Sequence, residues 1–118
     1  MKTRSVHLMA LLAILFFASC KKESSIPQLT FTVAEGKANA SGEYIITGHI
    51  SSAVRIDKVI LTKEGQVTPF LIDETTAKNK NDYDFSYLVT GITADTYIVI
   101  DVYDQDGRKI TQRFLIKK

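Results

Sequence analysis

From Leu29 to the end of the chain, apolar residues recur at every second position, and this period constrains the fold more than any other feature. Leu29, Phe31 and Val33 alternate with Thr30 and Thr32. Successive side chains of an extended chain point to opposite faces, so such alternation predicts a half-buried β-strand. The pattern returns in residues 44–50, where Tyr44, Ile46 and Ile50 share a face with Gly48. A glycine on a strand's apolar face marks a bulge or close packing. In residues 83–90 the inward set is Phe85, Tyr87 and Val89, and in 96–104 it is Ile98, Ile100 and Val102. In 109–117 it is Ile110, Phe114 and Ile116, with Leu115 on the opposite face.

Two stretches depart from simple alternation. In residues 54–63, Val54 and Ile56 have one parity while Val59 and Leu61 have the other. A β-bulge near Asp57-Lys58 reconciles them, and a strand covered on both faces is the alternative. Residues 66–73 contain Pro69, which lacks an N–H, so this strand belongs at a sheet edge or breaks there. Turn residues separate the strands: 36–42 (GKANASG), Ser51-Ser52, Glu64-Gly65, the tight connection 91–95, and the hairpin Asp104-Gln105-Asp106-Gly107. Residues 74–82 hold no large apolar side chain and read as a surface loop. About seven short strands, a turn signal roughly every ten residues and no helical pattern after residue 20 predict an all-β antiparallel sandwich.

The amino-terminal part obeys different rules. Lys2 and Arg4 precede residues 8–18, an apolar run without charge or turn residues. A bilayer-spanning helix needs about 20 apolar residues, and Lys21, Lys22 and Glu23 close this run well short of that. Its length and flanks suit the apolar core of an export signal. Phe17-Ala18-Ser19-Cys20, with Phe17 where leucine is usual, resembles the lipobox of bacterial lipoproteins. The resemblance implies cleavage before Cys20 and a diacylglycerol on its thiol, with further acylation by a fatty acid such as palmitate. One acyl chain binds membranes only marginally, whereas several on one residue anchor stably. Because Cys20 is the sole cysteine, no disulfide within the chain competes for it. The expected organisation is a signal peptide over 1–19, a lipidated cysteine and polar tether over 20–28, and a folded domain over 29–118. Lys21 stands where an inner-membrane retention aspartate is found in some lipoproteins. The resemblance therefore implies a Bacteroidota-type cell-envelope protein held in the outer membrane, with the periplasmic or surface face left open.

Removing the signal leaves about 100 residues, enough for one core without disulfides. The formal charge of +2 leaves with Lys2 and Arg4, so the remainder is neutral. Nucleic-acid binding loses its electrostatic footprint and is not expected. Residues 85–92 (FSYLVTGI) and 97–107 also carry a resemblance. A strand, a TGI-x-A-x-T-Y turn, a second strand and a D-x-D-G hairpin recur in this order in immunoglobulin-like and fibronectin-type modules of bacterial surface proteins. The resemblance implies an immunoglobulin-like sandwich, here without the cysteine pair and tryptophan of antibody domains.

Little in the domain has the pattern of a reaction centre. His49 is the single histidine after the signal and is expected on an outward face, with no hydroxyl or thiol nucleophile arranged around it. One histidine and one acylated cysteine cannot make a tetrahedral zinc site. Asp101, Asp104 and Asp106 are a calcium candidate by residue type, but Arg108 and Lys109 follow them, and Asp side chains in such hairpins also bond local N–H groups. Glu35, Glu43, Asp57 and Asp84 offer no carboxylate pair singled out by spacing for glycoside hydrolysis. No cofactor is expected. Tyr97, Val99 and Tyr103 face outward on the sixth strand, and Thr111, Arg113 and Leu115 share the matching face of the seventh. If paired, they form an aromatic and aliphatic patch, with Tyr97, Tyr103 and Arg113 as candidate binding residues. The expected function is a membrane-anchored, non-enzymatic interaction or structural module whose partner is an envelope protein or a glycan. A carbohydrate-binding accessory lipoprotein of a glycan-uptake system is the alternative, and a small hydrolase a third class.

Overall fold

The computed structural model describes residues 26–118, so the apolar leader and Cys20 lie outside the described residues. The strands are β1 (Gln28–Phe31), β2 (Gly36–Lys37), β3 (Tyr44–Ser51), β4 (Ile56–Lys63), β5 (Leu71–Asp73), β6 (Asp82–Val89), β7 (Thr96–Asp104) and β8 (Lys109–Lys117). They form a three-stranded sheet in the order β1-β3-β6 and a five-stranded sheet in the order β2-β8-β7-β4-β5. Each neighbouring pair is antiparallel except β2 with β8. The chain begins in the smaller sheet with β1, touches the edge of the larger with β2, returns for β3, and crosses to the larger again for β4 and β5. It returns for β6 and ends in the β7–β8 hairpin. This is an immunoglobulin-like β-sandwich.

Alternation translates directly into the core. Ile46, Ile50, Val59, Leu61, Val89, Ile98, Ile100, Val102 and Ile116 are fully buried between the sheets, with Phe85, Tyr87 and Phe114 beside them. The Phe114 ring lies 4.9 Å from Phe31 and is stacked on Tyr44 at 5.8 Å, closing the side where β1 and β3 meet β8. Removing such a ring costs about 3–5 kcal/mol, because the cavity relaxes only in part. Gly48 is needed for closeness: a Cβ there would sit 2.2 Å from the Thr30 carbonyl oxygen and 2.5 Å from the Phe85 ring.

The slipped phase in residues 54–63 is a bulge, with the β4–β7 register shifting between Ile56 and Lys58. Of residues 66–73, Leu71–Asp73 alone forms a strand, at the edge of the five-stranded sheet, and Pro69 lies before it. Gly107 takes the positive φ of 82° that the hairpin requires.

Three details differ from the sequence pattern. Val33 is exposed rather than inward, because the chain leaves the first sheet after Phe31 and enters the second at Gly36. Residues 36–42 are not all loop: Gly36 and Lys37 pair with Ile116 and Lys117. A Cβ at residue 36 would overlap the Tyr44 ring at 2.2 Å, so a small residue lets this ribbon pass beneath it. The loop after β5 is anchored by Ala77, which is fully buried despite its size.

Candidate functional site

The larger sheet presents an outward face built from alternate residues of three long strands. The register sets Tyr97 opposite Leu115, Val99 opposite Arg113 and Asp101 opposite Thr111. On the other side of β7, Lys58 stands opposite Tyr103, Ile60 opposite Asp101 and Thr62 opposite Val99. Tyr97, Val99, Tyr103, Arg113 and Leu115 therefore do share one surface. Ile72, exposed on β5 opposite Ile60, extends it. Among the described residues, no strand or helix covers this face.

The two tyrosines differ in setting. The Arg113 guanidinium lies 3.9 Å from the Tyr97 ring centroid. Its Nε and Nη2 donate to the two carboxylate oxygens of Glu64, at 2.6 and 2.9 Å. Such a bidentate fork fixes the orientation of the guanidinium as well as its charge, and the cation lies over the aromatic ring. Tyr103 instead lies between two ammonium groups, Lys58 at 5.1 Å and Lys109 at 5.7 Å. At a strand rise of ~3.3 Å per residue the two tyrosines are about 20 Å apart, too far to grip one sugar ring together. They are two contact points on one face.

The aspartates of the calcium candidate do not converge. Asp101 points outward and accepts a hydrogen bond from the Thr111 hydroxyl. Asp104 points inward and is buried. Its Oδ1 accepts from the N–H groups of Asp106 and Arg108, both at 2.9 Å, so it organises the hairpin backbone. Asp106 is exposed at the tip of the turn. Among the described residues, no group of three or more His, Cys, Asp or Glu is placed to hold a metal ion.

His49 has partners that its sequence position did not reveal. On the outward face of the smaller sheet, Nδ1 lies 2.7 Å from Asp84 Oδ1 and Nε2 lies 3.1 Å from Asp82 Oδ1. Hydrogen bonds to Asp84 and then Asp82 raise the imidazole pKa above its ordinary 6.5. With a carboxylate at each nitrogen, the ring is suited to donate from both as the cation. Among the described residues, neither nitrogen meets a hydroxyl or thiol. The remaining hydrolase candidates are dispersed: Glu35 pairs with Lys117 at 3.5 Å and Asp57 with Lys78 at 3.2 Å. Glu43 lines a separate open cleft of about 420 Å³ with Lys37, Asn39, Tyr44, Ile45 and Leu88.

Sequence pattern gave no warning of the Tyr87–Asp73 contact. Tyr87 Oη reaches from β6 in one sheet to Asp73 Oδ2 on β5 in the other, at 2.6 Å. Asp73 also accepts from the Thr76 hydroxyl and from the N–H groups of Thr75 and Thr76, at 3.1 and 2.9 Å. Burial pushes the Asp73 carboxyl up, but these hydrogen bonds outweigh it and hold the pKa at about 2, against an ordinary 3.8. Burial and then the neighbouring Asp73 push the Tyr87 phenol well above its ordinary 10.0. These groups are locked in structural bonds and are not poised for proton transfer.

No family model matches the chain, and no curated protein does. Among solved structures, the fibronectin(III)-like modules of Clostridium thermocellum CbhA match with a TM-score of 0.55 at 16% identity. The match covers 79% of this chain and 46% of that one, so this chain spans less than half of the solved structure. At this identity the likeness is one of fold, and it agrees with an immunoglobulin-like sandwich.

Proposed function

We propose that the chain is a lipid-anchored protein of the bacterial cell envelope, most consistent with the outer membrane, whose sandwich serves as a non-enzymatic interaction module. The observation that carries the interaction reading is the uncovered face of the larger sheet, where a bidentate Glu64 holds Arg113 over the Tyr97 ring. Arginine and tyrosine are enriched at protein interfaces and over-represented among the residues that dominate binding energy. A sugar ring stacking on Tyr97 would have to displace the guanidinium, so this geometry favours a protein partner over a glycan. The separate engagement of His49, Glu35 and Asp57 in ion pairs supports a role without catalysis. Anchoring rests on the lipobox resemblance at Cys20.

The two halves of this proposal are tested separately. Metabolic labelling with palmitate should mark the chain and be lost in Cys20→Ala; labelling that survives removes the anchor. Crosslinking in intact cells from a photoreactive group at Val99 should trap an envelope protein, and Tyr97→Ala with Tyr103→Ala should abolish the adduct. Should binding on a glycan array depend on the same tyrosines while no protein is trapped, the carbohydrate-binding alternative replaces this reading.

A further inference from the structure

A sheet edge presents unpaired N–H and C=O groups, and folded proteins blunt such edges by shortening, capping or charging them. Among the described residues, three of the four sheet edges are blunted. β2 has 2 residues and β5 has 3. β1 has 4 residues, and the Leu29 carbonyl on its open side is taken by Gln112 Nε2 at 2.9 Å. β6 is different: it has 8 residues and, among the described residues, pairs with β3 alone.

The ladder phase identifies which groups β6 offers. Residues of an antiparallel pair alternate between exchanging both main-chain bonds and exchanging none. Ser52 N–H donates to Asn81 O, one step beyond the Ser51–Asp82 pair. Odd-numbered residues of β6 therefore bond to β3, while Asp82, Asp84, Ser86 and Leu88 turn their N–H and C=O away from it. The bond from Thr32 N–H to Thr47 O on the far side of β3 requires the same phase. The free run is bounded at both ends. Asn81 is tied by its side-chain amide to the Ser52 and Ala53 carbonyls, and the Thr90 carbonyl is capped by Lys63 Nζ at 2.8 Å. Among the described residues, no main-chain hydrogen bond outside the sheet ladder reaches the four residues between.

Side chains decide what can occupy this edge. On its outward face Asp82 and Asp84 are 69% and 90% exposed, and Leu88 lies exposed beside Ile45. If two copies joined β6 to β6 antiparallel, even-numbered residues would face even-numbered residues. Within residues 82–88 no such register places a base opposite Asp82 or Asp84, and the registers centred on residues 82 to 84 set aspartate against aspartate. Like charges directly opposite are destabilising and opposite charges stabilising. The edge is guarded against its own copy and open to a cationic strand.

We propose that the β6 edge is a strand-addition site for an extended segment of a partner protein. That segment runs antiparallel to β6, with an apolar side chain opposite Leu88 and Lys or Arg opposite Asp84 and Asp82. Main-chain bonds supply affinity and alternate side chains supply selectivity, as in other modes of β-augmentation. Intervening residues of the added strand continue the inner face of Tyr83, Phe85, Tyr87 and Val89, so they are apolar. This site lies on the smaller sheet, and it stands or falls independently of the anchor and of the Tyr97 face.

The test uses the full chain in detergent and an acetylated probe peptide, Leu-Val-Ser-Val-Lys-Val-Lys. Amide exchange should slow at least tenfold at Asp82, Asp84, Ser86 and Leu88 and stay unchanged on β1. Ser86→Pro removes an outward N–H without touching the β3 ladder, and should weaken peptide binding at least tenfold with the melting temperature held. Asp84→Lys should reverse the preference to the same peptide with Glu in place of Lys, which keeps the proposal testable if the proline variant does not fold. Absence of protection at millimolar peptide, binding indifferent to both variants, or protection that appears with protein concentration alone would overturn it. The last result would assign the edge to a second copy of the chain.

Discussion

Asp73 and Asp104 are both buried carboxylates at strand ends of the larger sheet, and both organise a turn through main-chain N–H groups. They differ in their second oxygen. Asp73 Oδ2 is held by the Thr76 hydroxyl and by Tyr87 from the opposite sheet. Asp104 Oδ2 is buried and finds no hydrogen-bond partner among the described residues. One aspartate couples the two sheets, whereas the other serves its own hairpin. Similar local chemistry thus has different tertiary consequences, set by what the facing sheet brings.

The largest effect separating the two should come from Asp73→Asn. An amide there removes the charge that accepts four hydrogen bonds, and a charge-assisted bond contributes roughly 1.5–3 kcal/mol. Urea unfolding should show a loss of about 2–3 kcal/mol; a loss no larger than that of Asp104→Asn breaks the comparison.

Next in size is Tyr87→Phe, which withdraws one donor from a buried carboxylate and should cost about 1–2 kcal/mol. It also changes the acid limb. The Asp73 pKa is lowered on folding, to about 2 from 3.8. Its contribution is therefore complete above the unfolded value and is lost as pH falls from about 4 toward 2. In Tyr87→Phe the folded value rises, so stability should fall less across that window than in the parent. Parallel acid melts check this.

Asp104→Asn should cost about 1 kcal/mol, because Oδ1 keeps its two N–H donors while the orphaned oxygen is replaced by an NH2 group that finds no acceptor. A loss above that would reveal a partner for Oδ2 in solution.

The smallest effect concerns an exposed counterpart, Asp84 beside His49. The histidine pKa is raised on folding, so this pair stabilises fully below 6.5 and loses its contribution as pH rises through the folded value. Proton NMR should place the His49 midpoint above 6.5, and Asp84→Asn should bring it down more than Asp82→Asn. An equal response would show that the shorter Asp84 contact does not dominate.

Much of the framework was legible beforehand. Spacing alone puts Ile98, Ile100 and Val102 inward. The slipped phase leaves a bulge or a doubly covered strand, and Pro69 an edge strand or a break. The structure has the bulge between Ile56 and Lys58 and a shortened edge strand, Leu71–Asp73, after the proline. These are short-range consequences of the pleat and of proline's missing donor. The outward set Tyr97, Tyr103 and Arg113 was legible for the same reason, since whatever does not face in must face out. What escaped was contact between residues far apart in the chain. Glu64 reaches Arg113, Asp84 reaches His49, and Asp73 reaches Tyr87 through register and sheet order, which hydropathy does not encode. The three aspartates near the last hairpin illustrate the converse. Proximity in sequence suggested a cluster, and the pleat sent Asp101 and Asp104 to opposite faces.

By itself, then, the sequence determined an all-β domain, the inner face of its long strands and the turns between them. The cause is local: backbone sterics allow an extended chain only a two-residue period, and burying apolar side chains selects which face goes in. Tertiary structure decided which strand became an open edge, which tyrosine acquired an arginine, and which buried aspartate tied the sheets together. Those outcomes depend on how two sheets are ordered and stacked, and that ordering emerges only when the whole core closes.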